Sequence, residues 1–591
     1  MSQEQERVDN PSMEGLVGIA GSLPAGIAEQ LSSDLQEENS PFRWFIEQRK
    51  KNNPGVLLAN LKAAMGFQEK DGKLRVLRDI IGLIRHLPGG QVETYEDKLL
   101  KEEKKGQSEA ASYGIARIKG REFVLFATHW DFFAGSAGVV VGEKLNKAAE
   151  LATKKEAPLV CIYSSSGIRQ QENFAALLQM SRMAGAIGRF KERTRMPYIA
   201  VLSHQVWGGI SASAVPLADI TVALSGTDFG FAGPRVIESY EIKKVPKGAQ
   251  SAEANVLQRN IDLLVGDEKE LLGWLTSFLE ITNEQVRRKR GGRGKAVLPT
   301  EEKVVFSQKN AKEKENLYKQ FTRLRGDIRR PDTEYLLQHC FTDIVPLYSR
   351  LVFGGVAHYP AIIAALGKIG EQRVLIIGNQ PSYPKIADKV LKIPSSPTPA
   401  DFNYLKRVLR FGERLGFPVI FFTDTLGAKP TLGAEVAGQS REIAEAIYAG
   451  ISYKHPVISI ITGVLGSGGG LATTPMGDHI AMLESAMAFV AEPTSATAIL
   501  YNKAHPQKEE VEATINGMRA TAYDQLQLGL IDSIIDEPEG GAEEHPKETA
   551  EAISICLARI LSRVLLYSPK KLMEKRYNRL RKLSGIPLKK T

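Results

Sequence analysis

Short apolar runs led by proline alternate with helical patterns along the chain. In the first half two such runs begin at Pro158 and Pro197, and in the second half two begin at Pro418 and Pro456. Runs of this length, rich in β-branched and aromatic residues, predict buried strands. The stretches that follow the first run of each pair predict helices, at 175–190 and 439–449. Strands that alternate with helices predict a layered α/β fold.

The two halves also share a spacing. The paired prolines lie 39 residues apart in the first half and 38 in the second. Eleven or twelve residues after the later proline comes a diglycine, Gly208–Gly209 in WGGISAS and Gly468–Gly469 in GSGGGLAT. Each diglycine leads into small residues and a further apolar run, which we place at 220–224 and 486–491. The repeat predicts two copies of one α/β unit, roughly residues 41–285 and 330–565.

A diglycine between a buried strand and a helix suggests a particular chemistry. Glycine lets a ligand approach the backbone closely, and N–H groups at a helix N-terminus carry partial positive charge that stabilises an anion. A thioester enolate is such an anion, and one backbone donor aimed at it is worth about 3–4 kcal/mol in the transition state. A tight turn or close helix packing explains most single diglycines. Two diglycines at matching positions of a repeat favour a role in binding an anion.

Composition sets the class of protein. The chain has 591 residues, 43% hydrophobic and 25% charged, which is typical of a globular protein with two or more domains. Its formal charge of +9 is spread over the chain and does not indicate nucleic acid. The densest basic run, RRKRGGRGK at 287–295, has no interleaved aromatics and predicts a flexible linker. The acidic first forty residues predict a mobile tail.

Cysteine usage and missing motifs exclude several kinds of site. Cys161, Cys340 and Cys556 lie far apart, so we expect neither a four-cysteine zinc ribbon nor a disulfide framework. No GxGxxG, P-loop or HExxH pattern is present, so dinucleotide, nucleotide triphosphate and metal sites are not predicted. Without a signal peptide or an apolar run of membrane-spanning length, the chain is expected to be cytoplasmic, with no membrane or nucleic-acid partner.

Around the diglycines the sequence resembles the carboxyltransferase component of bacterial-type acetyl-CoA carboxylase, in the crotonase superfamily. The first half is similar to its β subunit, through WGGISAS and GFAGPRVIE within 198–238, with AGSAGVVVGEK and SGIRQQE upstream. The second half is similar to its α subunit, through FTDIVPLY, DTLGAKPTLGAEVAGQS, GSGGGLA, LGLIDSIIDEP and EKRYNRL in order. The resemblance covers roughly residues 80–582. It implies two tandem crotonase-like (ClpP/crotonase spiral) domains, β-like before α-like.

The resemblance also implies a reaction. Carboxybiotin on a carrier protein gives its carboxyl group to an acyl thioester, either acetyl-CoA or a related acyl-CoA or acyl-carrier, through an enolate. Gly208 and Gly209 would form the β-type oxyanion site, and Gly468 and Gly469 the α-type site. Biotin and a CoA thioester are the implied cofactors, and biotin carboxyl carrier protein and biotin carboxylase the implied partners. The product would be a malonyl-type thioester for fatty acid or polyketide biosynthesis.

Further motif residues are expected to bind cofactor: Gly167, Gly233, Arg235 and Gly427. Arg235 and Lys429 are the candidate cations for CoA, although an arginine beside Gly-Pro also suits a loop anchor. In the family the reaction chamber lies between a β-type and an α-type domain of different protomers, which implies a homodimer or a higher oligomer. The expected domains are a tail, a β-like domain, a linker with a connecting helix, and an α-like domain with C-terminal helices, at 1–40, 41–285, 286–329 and 330–591.

The chain departs from the family pattern at four places. It lacks the zinc ribbon of the β subunit. Ser166 in SSSG stands where SGGAR has its first glycine, Leu426 in DTLGA replaces a proline, and EPTS at 492–495 replaces SPEG. Side chains there would narrow the site or change its polarity, so the acyl group stays open. A malonyl-thioester decarboxylase that needs no biotin and an inactive scaffold subunit are the alternative functions.

Overall fold

The computed structural model describes most of the chain. The described residues are 54–70, 85–86, 92–93, 95–105, 109–241, 244–290, 316–353, 356–383, 385–386, 389–502 and 505–582. The predicted tail at 1–40 lies outside these ranges. The predicted linker at 287–295 begins inside a helix that runs to Arg290, and the rest of it lies outside the described residues.

The first half is built from short strands and flanking helices. Its strands are β1 (Gln68–Lys70), β2 (Arg85–His86), β3 (Val92–Glu93), β4 (Ala111–Ile118), β5 (Arg121–Thr128), β6 (Leu159–Ser165), β7 (Tyr198–Trp207), β8 (Ile220–Leu224), β9 (Phe229–Gly230) and β10 (Leu263–Val265). Its helices are α1 (Pro54–Ala64), α2 (Tyr95–Lys104), α3 (Val139–Lys155), α4 (Asn173–Leu177), α5 (Gln179–Arg193), α6 (Gly208–Ser211), α7 (Pro234–Glu241), α8 (Ala252–Leu257) and α9 (Glu268–Arg290).

The second half follows the same plan. Its strands are β11 (Thr342–Pro346), β12 (Leu351–Phe353), β13 (Val356–His358), β14 (Ile362–Ile369), β15 (Gln372–Asn379), β16 (Lys385–Ile386), β17 (Lys389–Val390), β18 (Val419–Thr425), β19 (Val457–Gly466), β20 (His479–Leu483), β21 (Met487–Phe489) and β22 (Ser533–Ile535). Its helices are α10 (Leu317–Gly326), α11 (Thr333–Cys340), α12 (Pro399–Leu415), α13 (Leu432–Val436), α14 (Gln439–Ile451), α15 (Ser467–Ala472), α16 (Pro493–Leu500), α17 (Lys508–Gly517), α18 (Ala522–Gln527), α19 (Pro546–Val564) and α20 (Pro569–Lys582).

The main sheets of the two halves have the same strand order. The first is β1-β4-β5-β6-β7-β8-β10, with β9 beside β7, and the second is β11-β14-β15-β18-β19-β20-β22, with β21 beside β19. In each sheet the pairs up to the hairpin β4–β5 or β14–β15 are antiparallel, and the strands beyond it are parallel. Parallel strands are covered on both faces, which is why β6 is buried along its whole length.

The sequence analysis matched two strands wrongly between the halves. The run at 220–224 is β8, and its counterpart in the second sheet is β20 (His479–Leu483), because both are the neighbours of the long central strand. The run at 486–491 holds β21, whose counterpart is the two-residue strand β9. The sequence pattern selected the more apolar of two adjacent runs, and β20 begins with a polar histidine.

The two halves share one core and a set of buried ion pairs. A continuous cluster of buried apolar residues runs from the first half into the second. In it the ring of Phe278 on α9 stacks on that of Phe411 on α12 at 5.9 Å between centroids. Arg407 and Arg414 on α12 pair with Asp262 and Asp219 of the first half. These aspartates directly precede β10 and β8, so the second half contacts the edge of the first sheet where its parallel strands begin.

Within the described ranges, no helix combines the length and the apolar character needed to span a membrane.

Candidate active site

Two loops at the ends of neighbouring parallel strands bring glycines together in the first half. Gly167 follows β6 and Gly208 begins α6 directly after β7, with φ angles of +113° and +60° that L side chains rarely adopt. A Cβ atom on Gly167 would lie 3.4 Å from the Gly208 Cα, and one on Gly208 would lie 3.3 Å from the Gly167 Cα. The two glycines therefore face each other, and a side chain on either would fill the space between the loops.

We call the loop 166–169 together with the start of α6 the first loop site. Its backbone N–H groups differ in whether they already have an acceptor within the protein. The N–H of Gly208 donates to the carbonyl of Phe231 (2.8 Å), and that of Gly167 donates to Ser165 Oγ (3.1 Å). The N–H of Gly209 is at the second position of α6, where helix geometry provides no intrahelical acceptor. The N–H of Gly209 is thus a donor that the first loop site can offer to a ligand oxygen.

Two serine hydroxyls donate to backbone carbonyls of this short helix. Ser211 Oγ donates to the carbonyl of Gly208 (2.7 Å), and Ser213 Oγ donates to that of Gly209 (2.6 Å). Gly209 itself has no room for a side chain, because a Cβ atom there would lie 2.3 Å from Ile168 Cγ1. The sequence analysis missed both serines, although their signal is visible in WGGISAS as hydroxyls three and four residues after the glycines.

A buried ionic cluster lies behind the first loop site. Arg169 is fully buried, with Nη2 2.5 Å from Glu109 Oε1 and Nη1 3.0 Å from Glu172 Oε1. The hydroxyl of Tyr95 donates to Glu172 Oε1 (2.6 Å). Burial disfavours the charged guanidinium, but the carboxylate of Glu109 outweighs it and raises the pKa of Arg169 above its ordinary value. The cluster fixes the loop from residues more than fifty positions apart, a relation that no local pattern predicts.

The second half has an equivalent arrangement, the second loop site, made of the loop 426–429 after β18 and the start of α15. The register of the central strands pairs Trp207 with Gly230 and Gly466 with Phe489, so Ser467 is the counterpart of Gly208 and Gly468 that of Gly209. Ser467 has a φ of +56°, close to that of Gly208. The two diglycines of the sequence are therefore offset by one residue in the structure.

The serine changes the shape of the second loop site. A Cβ atom on Gly427, whose φ is +127°, would lie 2.4 Å from Ser467 Oγ. Gly469 donates its N–H to Ser467 Oγ (3.3 Å) and packs so closely that a Cβ atom there would lie 2.1 Å from the nitrogen of Ala428. Gly468 occupies the second position of α15, as Gly209 does in α6. Its N–H is the corresponding donor.

The remaining predicted residues lie around these loops. Gly233 and Arg235 follow Phe231, whose carbonyl holds Gly208, and the Arg235 side chain is exposed at the start of α7. Lys429 ends the loop of the second loop site, and burial lowers the pKa of its ammonium. The structure thus brings Gly167 to the Gly208–Gly209 pair and Gly427 to Ser467, while Arg235 contacts neither glycine pair.

The three altered motif positions have local explanations. The Ser166 side chain is exposed and its N–H donates to the carbonyl of Ala134 (2.9 Å). Leu426 packs against a small apolar cluster that includes Phe321 and Val464. Glu492 caps α16, because its carboxylate accepts the N–H of Ser495 (2.9 Å). The side chains of Leu426 and Glu492 are thus used by the surrounding structure, whereas Ser166 is held through its backbone.

His129 is buried among polar side chains of the first half. His129 is held by Ser112 Oγ (2.9 Å) and Lys62 Nζ (3.3 Å), and burial with the neighbouring Lys62 lowers its pKa to about 3. Over the part of the chain that the structure describes, no group of three His, Cys, Asp or Glu side chains is arranged to hold a metal ion.

Comparison with known proteins identifies the family of the chain. The sequence profile described as acetyl co-enzyme A carboxylase carboxyltransferase-like matches residues 279–584. The acetyl-coenzyme A carboxylase carboxyl transferase subunits beta/alpha of Saccharopolyspora erythraea are 31% identical over 480 residues, 81% of this chain and 80% of that protein. Those of Salinispora tropica are 30% identical over 483 residues, 82% and 83% of the two chains. The chain belongs to the acetyl-CoA carboxylase carboxyltransferase family.

Solved structures agree in fold. A crystal structure of transcarboxylase 12S with methylmalonyl-coenzyme A and methylmalonic acid bound has a TM-score of 0.61 and 18% identity, and covers 94% of this chain and 97% of that one. A single-chain, multi-domain long-chain acyl-CoA carboxylase has a TM-score of 0.55 and 16% identity, over 93% of this chain and 49% of that one. The predicted tandem crotonase-like fold and the carboxyltransferase activity of the family are confirmed.

Proposed function

We propose that the protein moves a carboxyl group from carboxybiotin, held on a carrier protein, to an acyl-CoA thioester. The observation that carries the proposal is the repeated loop site, in which one half presents the N–H of Gly209 and the other the N–H of Gly468. A Cβ atom on Gly167 or Gly208 would enter the space between the two loops, and we place the thioester carbonyl oxygen there. Two such sites suit a reaction between two carbonyl-containing groups.

Each loop site would bind one of the two reacting groups. Gly209 would donate to the thioester oxygen as it gains enolate charge, while Gly208 and Gly167 keep the approach open. Gly468 would donate to the ureido oxygen of biotin, with Gly427 and Ser467 shaping the loop and Gly469 packed beneath it. Bound carboxybiotin supplies the carboxyl group and, once it has lost that group, a base for the α proton. No side-chain general base is then required, which agrees with the absence of histidine from the loops.

Substrate and cofactor assignments follow the relatives. The proteins of Saccharopolyspora erythraea and Salinispora tropica are named for acetyl-CoA carboxylase, and a relative in Mycobacterium bovis, 29% identical over 457 residues, is a probable biotin-dependent acyl-coenzyme A carboxylase beta3 subunit. We therefore propose acetyl-CoA or a related short acyl-CoA as acceptor. Gly233 and Arg235 beside the first loop site and Lys429 at the second are our candidates for contacts with the larger parts of the substrates.

The proposed partners are a biotin carboxyl carrier protein, a biotin carboxylase and a second copy of this chain. Apolar side chains stand exposed around both loop sites: Phe174 and Phe231 (73% exposed) beside the first, and Leu432 (80%) and Val490 (83%) beside the second. Within one chain the second half contacts the amino-terminal edge of the first sheet, where Asp219 and Asp262 lie. The first loop site is at the other edge, where β6 and β7 end. A second copy that covers these apolar residues would bring a first and a second loop site together.

Reverse transfer tests the proposal. Purified protein is incubated with malonyl-CoA and biocytin, and acetyl-CoA and carboxybiocytin are measured together with free carbon dioxide. Formation of carboxybiocytin supports the carboxyltransferase. Release of carbon dioxide without biocytin would favour a malonyl-thioester decarboxylase, and no turnover with any short malonyl-type thioester would contradict the proposal.

A further inference from the structure

The second loop site is supported by a segment that comes from between β17 and α12. This supporting segment is residues 395–398. Ser395 pairs with Thr425 in an isolated bridge, and Thr425 Oγ1 donates to the carbonyl of Ser395 (2.7 Å). Ser396 Oγ donates to the carbonyl of Gly427 (3.2 Å), and the N–H of Lys429 donates to the carbonyl of Pro397 (2.9 Å). Three successive residues of the segment therefore fix the loop that carries Gly427.

The far end of the supporting segment is fixed by one carboxylate. Asp401 Oδ2 accepts the N–H (3.0 Å) and the hydroxyl (2.8 Å) of Thr398, the last residue of the segment. Thr398 in turn caps α12, since its hydroxyl accepts the N–H of Asp401. This reciprocal pair determines where the segment ends and where the helix begins. The other oxygen of Asp401 points out of the second half.

That oxygen is bound by an arginine of the first half. Arg259 Nε donates to Asp401 Oδ1 (3.1 Å), with the two side chains 3% and 7% exposed. The guanidinium lies 3.8 Å from the centre of the Tyr404 ring and also donates to the carbonyl of Ile362. Arg259 has a φ of +63°, a conformation that residues other than glycine rarely adopt and that persists only where the surroundings enforce it.

Removal of the Arg259 side chain would leave the buried carboxylate of Asp401, next to the loop, without its ion-pair partner. Asp401 is also an electrostatic partner of Lys429, where it opposes the lowering of the lysine pKa by burial. Without Arg259 the carboxylate loses its ion pair and keeps its electrostatic interaction with Lys429, so its hydrogen bonds to Thr398 are no longer anchored from the first half. A buried carboxylate without its partner raises the free energy of the folded state. We therefore expect the supporting segment to move when Arg259 is removed.

We propose that Arg259 is a positioning residue for the second loop site, so that the first half of the chain holds in place the loop with which the second half binds its substrate. The inference rests on the proposed function for the identity of that substrate, the biotin group. Its structural part, the support of the loop by the other half, stands on the contacts above.

The chain offers a matched control. Arg414 also joins the halves through a buried carboxylate, that of Asp219, but Asp219 holds the N–H of Tyr198 and not the supporting segment. Arg259→Gln and Arg414→Gln each remove one such inter-half pair. Arg259→Lys keeps the charge and loses the fixed geometry of the guanidinium.

Two measurements test the proposal on the full chain. The first is hydrogen exchange of a peptide that covers 425–431, which requires no turnover. Arg259→Gln should exchange there roughly tenfold faster than the wild type, Arg259→Lys should lie between them, and Arg414→Gln should match the wild type. Equal exchange in Arg259→Gln and Arg414→Gln would overturn the proposal. If Arg259→Gln does not fold, the comparison of Arg259→Lys with Arg414→Gln decides in the same way.

The second measurement is the split of the kinetic constants in the reverse assay. Arg259→Gln should raise the KM for biocytin roughly tenfold and leave the KM for malonyl-CoA within about twofold of the wild type. A rise in the KM for malonyl-CoA alone would also overturn the proposal. A wild type that transfers no carboxyl group would reject the proposed function, and the exchange experiment would still decide whether Arg259 holds the loop.

Discussion

The hydroxyl of Ser211 donates to the carbonyl of Gly208 over 2.7 Å, and that carbonyl shares a peptide plane with the N–H of Gly209. Because the peptide is planar, a hydrogen bond to one side of it fixes the direction of the group on the other side. The Gly208 carbonyl also accepts the N–H of Ala212 (3.0 Å), and the Ser211 hydroxyl also lies 2.8 Å from the carbonyl of Gly230. Ser211 thus helps to orient the Gly209 N–H and ties the start of α6 to β9.

Ser211→Ala should lower kcat of the reverse transfer by up to roughly tenfold, since the Gly208 carbonyl then keeps the Ala212 N–H but loses the hydroxyl, and the Gly209 N–H is held less firmly toward the thioester oxygen. The melting temperature and the KM for biocytin should stay near their wild-type values. Ser452→Ala is the control, because Ser452 makes the same kind of bond to the carbonyl of Tyr448 (2.7 Å) on an exposed helix end. Equal kinetics in the two variants would show that the hydroxyl of Ser211 does not aim the donor.

Gly208→Ala should reduce kcat by roughly a hundredfold or more, because the Cβ atom would lie 3.3 Å from the Gly167 Cα, in the space where the thioester oxygen would bind. Gly185→Ala, on the open side of α5 with no atom within 4 Å of the new Cβ, should keep full activity and gain up to about 1 kcal/mol of stability. Steady-state kinetics and urea unfolding distinguish the two. An active Gly208→Ala protein would mean that the facing glycines do not bind the thioester.

Tyr95→Phe should cost about 1–3 kcal/mol of stability, because Glu172 loses a buried 2.6 Å hydrogen bond within an ionic cluster. The phenylalanine ring keeps the packing of Tyr95 against Phe133, so the loss reports on the hydroxyl alone. Tyr577→Phe, at a side chain that is 61% exposed, should be neutral in the same unfolding experiment. A neutral Tyr95→Phe would mean that water or another group replaces the phenol.

His129 should make the protein less stable as the pH falls below about 6.5. In the unfolded chain the imidazole takes up a proton near its ordinary pKa, whereas burial keeps the pKa in the folded protein at about 3. Between those values the unfolded state binds one more proton, so the free energy of unfolding falls by about 1.4 kcal/mol per pH unit. His129→Gln should lose this contribution. Urea midpoints at pH 7.0 and 5.5 for both proteins measure it, and an unchanged slope in the variant would contradict the assignment.

Much of the fold could be predicted from the sequence, because parallel strands such as β6 and β18 begin with an apolar run and each follows a proline. The strand β20 was harder, since it begins with His479 and lies four residues before the more apolar β21. Periodicity alone cannot decide which of two adjacent apolar runs joins the sheet. That decision depends on the strand that each run meets in space.

The site was predicted less completely, for two physical reasons. A positive φ is expected at glycine, so the counterpart of Gly208 was placed at Gly468, whereas the structure has Ser467 there. The residues behind the loops are also distant in sequence: Glu109 is 60 residues from Arg169, and Arg259 is 142 from Asp401. Such contacts have no spacing signature and are visible only in the folded chain.

The contact of the second half with the amino-terminal edge of the first sheet has a genetic consequence. If each reaction chamber combines a first loop site from one chain with a second loop site from its partner, two differently damaged chains can complement each other. A dimer of Gly208→Ala with Gly427→Ala has one chamber with both defects and one with none. Mixed and reassembled, two inactive proteins should recover about a quarter of the wild-type activity.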